Sequence, residues 1–200
     1  MIQIINFGRA GNVNSVLNAF ARAGAPARIV GKYRYGRSVR GVVLPGVGSF
    51  NVVPQMRKAV SDGYETLGRE VPVLCICLGM QALFEGSGEA SRVRGLGVIS
   101  GEVRKLNAGM RLPELGWNRV RQESCDPLFA GIRNEEYFYF ANSYAAFPRD
   151  RAEIIGTTEY GERFASAVRT GRWWGVQFHP ERSGSAGERV IANFSRICGL

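Results

Sequence analysis

Cys77 stands in Cys75-Ile76-Cys77-Leu78-Gly79-Met80-Gln81, between the apolar run Val71 to Ile76 and a helix-like stretch from Met80 to Phe84. A strand that turns sharply into a helix through a nucleophile and a glycine is a nucleophile elbow. The turn lifts the thiol off the sheet edge and aims the next backbone N–H at whatever the thiol attacks. A thiol at its ordinary pKa needs a base or a positive field to react at neutral pH. The chain holds one histidine, His179, in Gln177-Phe178-His179-Pro180-Glu181. In an extended segment residues two apart share a face, so Glu181 is placed to orient the imidazole while the other ring nitrogen faces Cys77. Glu153 and Glu159 are weaker candidates for that orienting role. The set predicts acyl transfer by a thiol, with His179 as base and then acid. Cys75 is expected to share the face of Cys77 and to be a small packing residue beneath the turn.

Pro45-Gly46-Val47-Gly48-Ser49 follows the run Val42 to Leu44. Two glycines around one residue let the backbone approach closely and reorient. Two readings stay open on this motif alone: an oxyanion hole beside the elbow, or a plain turn.

These residues need a scaffold, and the rest of the chain indicates which. At 200 residues it is expected to form one domain, residues 1–200, with a real core. No apolar run approaches the roughly 20 residues of a membrane span, and no signal peptide precedes Ile2, so a cytoplasmic location is expected. The cysteines at 75, 77, 125 and 198 are expected to be thiols. With one histidine and no second close cysteine pair, no metal site is expected. The formal charge of +9 comes almost wholly from scattered arginines. No tract or nucleic-acid motif accompanies them, and a basic surface suits an acidic protein partner equally well.

Ile2 to Ile5, Ala27 to Val30, Gly41 to Leu44 and Val71 to Ile76 read as strands, with helices over Asn14 to Ala23 and Val53 to Leu67. That rhythm predicts a parallel sheet with helices on both faces. The second half adds strand-like runs at Val98 to Leu106, Trp117 to Arg121, Glu136 to Phe140, Ile154 to Glu159, Ala165 to Arg169 and Trp173 to Phe178. A helix over Glu188 to Ile197 closes the chain. The expected fold is therefore α/β, with a mixed, mainly parallel central sheet and added antiparallel strands. In such sheets sites form beyond the carboxyl ends of strands, where Cys77, His179 and the Gly46–Gly48 loop all fall.

Together these motifs resemble the class I, triad-type glutamine amidotransferases, which are flavodoxin-like. More narrowly the chain is similar to the glutaminase subunits of imidazole glycerol phosphate synthase. The resemblance is carried by Leu44 to Gly48, Ile76 to Gln81, Leu115-Gly116-Trp117-Asn118, Tyr139-Phe140 with Ser143-Tyr144, Gly156 to Tyr160, and Gln177 to Glu181. Met80 before Gln81 and Gly116-Trp117-Asn118 narrow it to that subunit. It implies Cys77 as nucleophile, His179 as base and acid, and Glu181 as orienter. It further implies an oxyanion hole from Val47 or Gly48 with Leu78, and a glutamine site from Gln81 and Asn142-Ser143-Tyr144. Glutamine is then hydrolysed to glutamate and ammonia through a thioester, without cofactor. The ammonia passes to a (β/α)₈-barrel synthase subunit that makes imidazole glycerol phosphate and AICAR in histidine biosynthesis. Asn12, Asn14, Trp117 and Arg182 fall where relatives face that partner.

The chain departs from the family pattern at Cys75 (usually glycine), at Asn142 (often histidine), at Asn6-Phe7-Gly8 with a shifted Arg9-Ala10, and at Pro113-Glu114-Leu115. The departures at 75, 114 and 142 motivate a second hypothesis, a glutaminase subunit serving a sugar- or chorismate-modifying synthase. A third is a silent binding protein or a cysteine-peptidase relative on the same fold.

Overall fold

The computed structural model describes residues 1–8, 12–107 and 109–200; Arg9-Ala10 lies outside them. Eleven strands form one sheet among the described residues. They are β1 (Ile2–Ile5), β2 (Ala27–Val30), β3 (Gly41–Gly46), β4 (Val73–Cys77), β5 (Gly101–Lys105), β6 (Glu114–Gln122), β7 (Glu136–Asn142), β8 (Tyr144–Pro148), β9 (Ile154–Tyr160), β10 (Glu162–Thr170) and β11 (Trp173–Val176). The helices are α1 (Val13–Arg22), α2 (Val53–Ala59), α3 (Leu78–Ala82) and α4 (Gly184–Ile197). The strand order is β2-β1-β3-β4-β11-β10-β9-β6-β7, with β8 joined to β10 and β5 to β8.

The strands β2, β1, β3, β4 and β11 run parallel, and every pairing beyond β11 is antiparallel. Alternation along the parallel strands splits the core in two. Ile2, Ile4, Val43 and Leu74 pack with Val16 and Phe20 of α1 and Val190 and Phe194 of α4. Ile5, Val42, Leu44 and Val73 pack with Val53 and Met56 of α2 and with Leu78 and Met80 of α3. Burial of both strand faces explains why these strands read as continuous apolar runs. Each fully buried Phe or Ile contributes about 1.5–3 kcal/mol.

Several boundaries differ from expectation for local reasons. The helix expected over Val53 to Leu67 stops at Ala59, and only one 3₁₀ turn, Tyr64–Thr66, follows. Gly63, three residues past the C-cap Val60, takes φ +84°, a left-handed conformation that keeps the segment from continuing as one helix. The strand expected over Val98 to Leu106 is limited to Gly101–Lys105. Tyr144–Pro148 forms β8, which no sequence signal marked. Both lie in the antiparallel half.

Cys75 does not share the face of Cys77. It packs with Val73 on the α2/α3 side, while Cys77 joins the α1/α4 side. Strand alternation fails at Cys77 because its backbone leaves the strand at φ 54°, ψ −110°. No helix of the described residues is long and apolar enough to cross a membrane.

Candidate active site

Parallel pairing sets Cys77 and His179 side by side. Within β4, Val73–Ile76 pairs residue for residue with Trp173–Val176 of β11. Cys77 closes β4, and His179 lies three residues beyond the end of β11, so both emerge at the same carboxyl edge. Cys77 holds a positive φ that few non-glycine residues adopt. That strain turns the chain at once into α3. A Cβ on Gly79 would overlap the Leu44 carbonyl oxygen of β3, so the first turn of α3 passes directly over the neighbouring strand. At Gly46 a Cβ would come within 3.0 Å of Leu78 Cβ and 3.3 Å of the Gly79 nitrogen. Glycine at both positions lets the β3 loop and the elbow close on one another. As α3 has only five residues, its help to an anion comes from individual N–H groups more than from a summed dipole.

His179 Nδ1 lies 2.8 Å from Glu181 Oε1, and both side chains are buried. The Asn12 amide donates to the same carboxylate oxygen at 3.0 Å. Asn12 precedes α1 without capping it, because its side chain is spent on Glu181. Further bonds fix the backbone of this segment. The His179 N–H donates to the Tyr139 carbonyl at 2.9 Å, and Ser183 Oγ bridges the His179 carbonyl and the Tyr139 N–H at 2.6 and 3.0 Å. Burial disfavours the imidazolium, but the adjacent Cys77 sulphur and the Glu181 carboxylate outweigh that penalty. The His179 pKa is pushed up to about 10. A protonated imidazole beside the sulphur is the arrangement that activates a thiol nucleophile.

A cleft of about 680 Å³ opens above this pair. The expected oxyanion residues Val47, Gly48 and Leu78 line it, as do the expected substrate residues Gln81, Ser143 and Tyr144. Asn12 and Arg182, expected at a partner interface, line it too, whereas Asn14 is exposed on α1 and Trp117 is exposed on β6. Glu153 and Glu159 belong to other parts of the chain, and Glu181 alone meets the imidazole. Glu89 went unmarked in the sequence. It lines the cleft while one of its oxygens accepts from the Phe50 N–H at 2.8 Å. It sits in irregular backbone beyond α3, where neither period nor motif signals a role. Gln177 was read only as part of its motif, yet its amide reaches Cys77 Sγ at 3.5 Å.

The departures at 114 and 142 face each other across the sheet. Glu114 on β6 stands directly opposite Asn142 on β7. Glu114 accepts from the Asn118 amide at 2.7 Å, while its second oxygen and Asn142 Oδ1 are buried without a partner. Burial pushes the Glu114 carboxyl up to about 6 from 4.5, against the Asn118 hydrogen bond, which pulls it down. A carboxyl raised on folding stabilises below its unfolded pKa and loses that contribution as pH rises through the folded value. Glu114→Gln is therefore expected to be more stable than the parent above pH 6, by about 1 kcal/mol after allowance for partial screening. The gap should close below pH 4.5. Thermal unfolding at a series of pH values checks this, and a pH-independent difference would refute it.

The model of the family described as glutamine amidotransferase class-I matches residues 6–198. Imidazole glycerol phosphate synthase subunit HisH of Moorella thermoacetica is 42% identical over 199 residues, covering 98% of this chain and 94% of that protein. The subunit of the same name from Methanocaldococcus jannaschii is 43% identical over 157 residues, covering 78% and 80%. Among solved structures, a glutamine amidotransferase superposes with a TM-score of 0.75 at 19% identity, covering 100% of this chain and 99% of that one. The structure of PurLQS from Thermotoga maritima gives a TM-score of 0.73 at 15% identity, covering 98% and 97%. Both solved structures speak to the fold.

Proposed function

Because the chain belongs to the class-I glutamine amidotransferases, and within them to the glutaminase subunits of imidazole glycerol phosphate synthase, we propose that residues 1–200 are one glutaminase domain working through Cys77, His179 and Glu181. The observation that carries the reading is the buried His179–Glu181 contact of 2.8 Å with Cys77 beside it at the floor of the cleft. The Cys77 sulphur attacks the side-chain amide carbon of glutamine. The oxyanion gathers N–H groups from Leu78 and from Val47 or Gly48. Imidazolium protonates the departing nitrogen, ammonia leaves, and a cysteinyl thioester remains. Water, deprotonated by the now neutral imidazole, then releases glutamate. Glu181, braced by Asn12, keeps the ring oriented throughout.

Gln81, Ser143 and Tyr144 hold the substrate, and Glu89 adds a carboxylate suited to its α-ammonium group. Ammonia then passes to a (β/α)₈-barrel cyclase subunit in the cytoplasm that makes imidazole glycerol phosphate and AICAR. An exposed apolar face supports docking beside the cleft. Leu115 is 68% exposed and Trp117 55%; Trp117 meets Tyr139 edge-on, and the Arg182 guanidinium covers the Tyr139 ring at 4.3 Å. Such aromatic and arginine clusters are what protein interfaces favour.

The isolated chain is expected to hydrolyse glutamine slowly. The barrel subunit with its nucleotide ligand should raise the rate about 10- to 100-fold. Glutamate release with and without that subunit tests this; a high basal rate that the subunit leaves unchanged would refute the coupling.

A further inference from the structure

Three buried groups connect the cleft wall to the nucleophile. The Tyr144 carbonyl accepts from the Gln81 amide nitrogen at 2.9 Å. The same Gln81 nitrogen donates to Gln177 Oε1 at 3.0 Å. Gln177 Nε2 then donates to Cys77 Sγ at 3.5 Å, across 100 residues of sequence. Gln177 is fully buried and Gln81 is 5% exposed.

The direction of this relay is fixed at its far end. A backbone carbonyl can only accept, so Gln81 must turn its NH₂ toward Tyr144. Both Gln81 hydrogens are then spent inside the protein, and only its oxygen is left for a ligand. Because Gln81 donates to Gln177, the Gln177 oxygen faces Gln81 and its NH₂ faces the sulphur. Asn142 also donates to the Tyr144 carbonyl, at 3.2 Å, which occupies that oxygen's second lone pair. A purely structural glutamine would be satisfied by any polar neighbour. This one ends on a reactive sulphur, and burying an amide there without a bond would cost about 1–3 kcal/mol.

We infer that Gln177 is a further catalytic residue: its N–H supplies the Cys77 sulphur, beside His179, with a hydrogen bond that holds it as the thiolate, with Gln81 and the Tyr144 carbonyl fixing the amide's orientation. The inference rests on the assignment of Cys77 as nucleophile. It also ties the substrate wall to the nucleophile, since a ligand that shifts Gln81 must disturb the donor on sulphur.

Iodoacetamide alkylation of the full-length protein, read at Cys77 by peptide mass over a range of pH, tests it. Gln177→Glu keeps an acceptor for Gln81 and removes the donor to sulphur. Its alkylation at neutral pH should fall about tenfold and its pH profile should move up by about one unit, with thermal stability retained. Gln177→Met should shift in the same direction. Profiles of both variants superimposing on the parent's, in folded protein, would overturn the inference. Should neither variant fold, Gln81→Met, which leaves the Gln177 amide untied, decides: slower alkylation supports the relay and an unchanged rate refutes it. Failure of Cys77 to react in the unsubstituted protein sinks the nucleophile assignment itself, a result distinct from the others.

Discussion

Cys77→Ala is expected to abolish glutamine hydrolysis, by about four orders of magnitude or more, and to leave assembly with the proposed barrel subunit intact. Loss of a covalent nucleophile removes the route through the thioester, and what survives in such variants is slow catalysis from binding and oxyanion contacts alone. Assembly survives because Cys77 is 93% buried, by difference from its 7% exposure, and offers nothing to a partner surface. The measurements are glutamate release and co-elution with the partner; retained turnover would sink the assignment. Stability adds a second result. Cys77 holds φ 54°, ψ −110°, which any side chain beyond glycine adopts at a cost of about 1–3 kcal/mol. Alanine keeps that strain and glycine releases it. Cys77→Gly should therefore be more stable than Cys77→Ala by about 0.5–1 kcal/mol, the reverse of the usual order. Equal or lower stability of the glycine variant would show that the elbow stores no strain.

Gly79→Ala has the second largest expected effect. The added methyl would overlap the Leu44 carbonyl oxygen, which belongs to a strand paired on both sides and cannot retreat. Either α3 lifts from the sheet or the pairing of β3 with β4 loosens. Overpacking against fixed backbone should cost about 2–4 kcal/mol. The melting temperature should fall by several degrees, at about 2–4 °C for each kcal/mol in a chain of this size. Activity should fall more than about 100-fold, since a nucleophile displaced by an ångström no longer meets its target. Gly48→Ala is the control for stability. Unlike Gly79, Gly48 holds a positive φ, at +97°, yet no atom lies within 4 Å of its missing Cβ, so it bears backbone strain alone. A Gly79→Ala protein with parental melting and activity would refute the close approach.

The sequence disclosed the parallel half of the fold and the placement of Cys77, His179 and Glu181 because those signals are local. Short apolar runs buried on both faces, a glycine after a nucleophile and a carboxylate two residues from a histidine can each be read within a few positions. It concealed whatever depends on pairing across the chain. The strand β8 is defined by partners in β5 and β10, far from it in sequence. Cys75 was placed on the wrong face because alternation assumes an unbroken strand, and the turn at Cys77 breaks it. Glu89 and Gln177 became candidates only when folding brought Glu89 to the cleft and the Gln177 amide to the Cys77 sulphur, and Asn12 proved to donate to the Glu181 carboxylate.

The pairing of β4 with β11 also governs the order of events during synthesis. The register Val73↔Trp173 joins segments 100 residues apart, so the elbow leaves the ribosome long before its histidine exists. Closing so long a loop is slow, and chains with such distant pairings expose unpaired strand edges while they wait. One side of β4 stays vacant until Trp173–Val176 is translated, because β11 is its neighbour there. A nascent chain therefore carries a thiol with no imidazole beside it. Under the proposed function, glutamine hydrolysis through this pair must await synthesis of residue 179, before any partner could impose control.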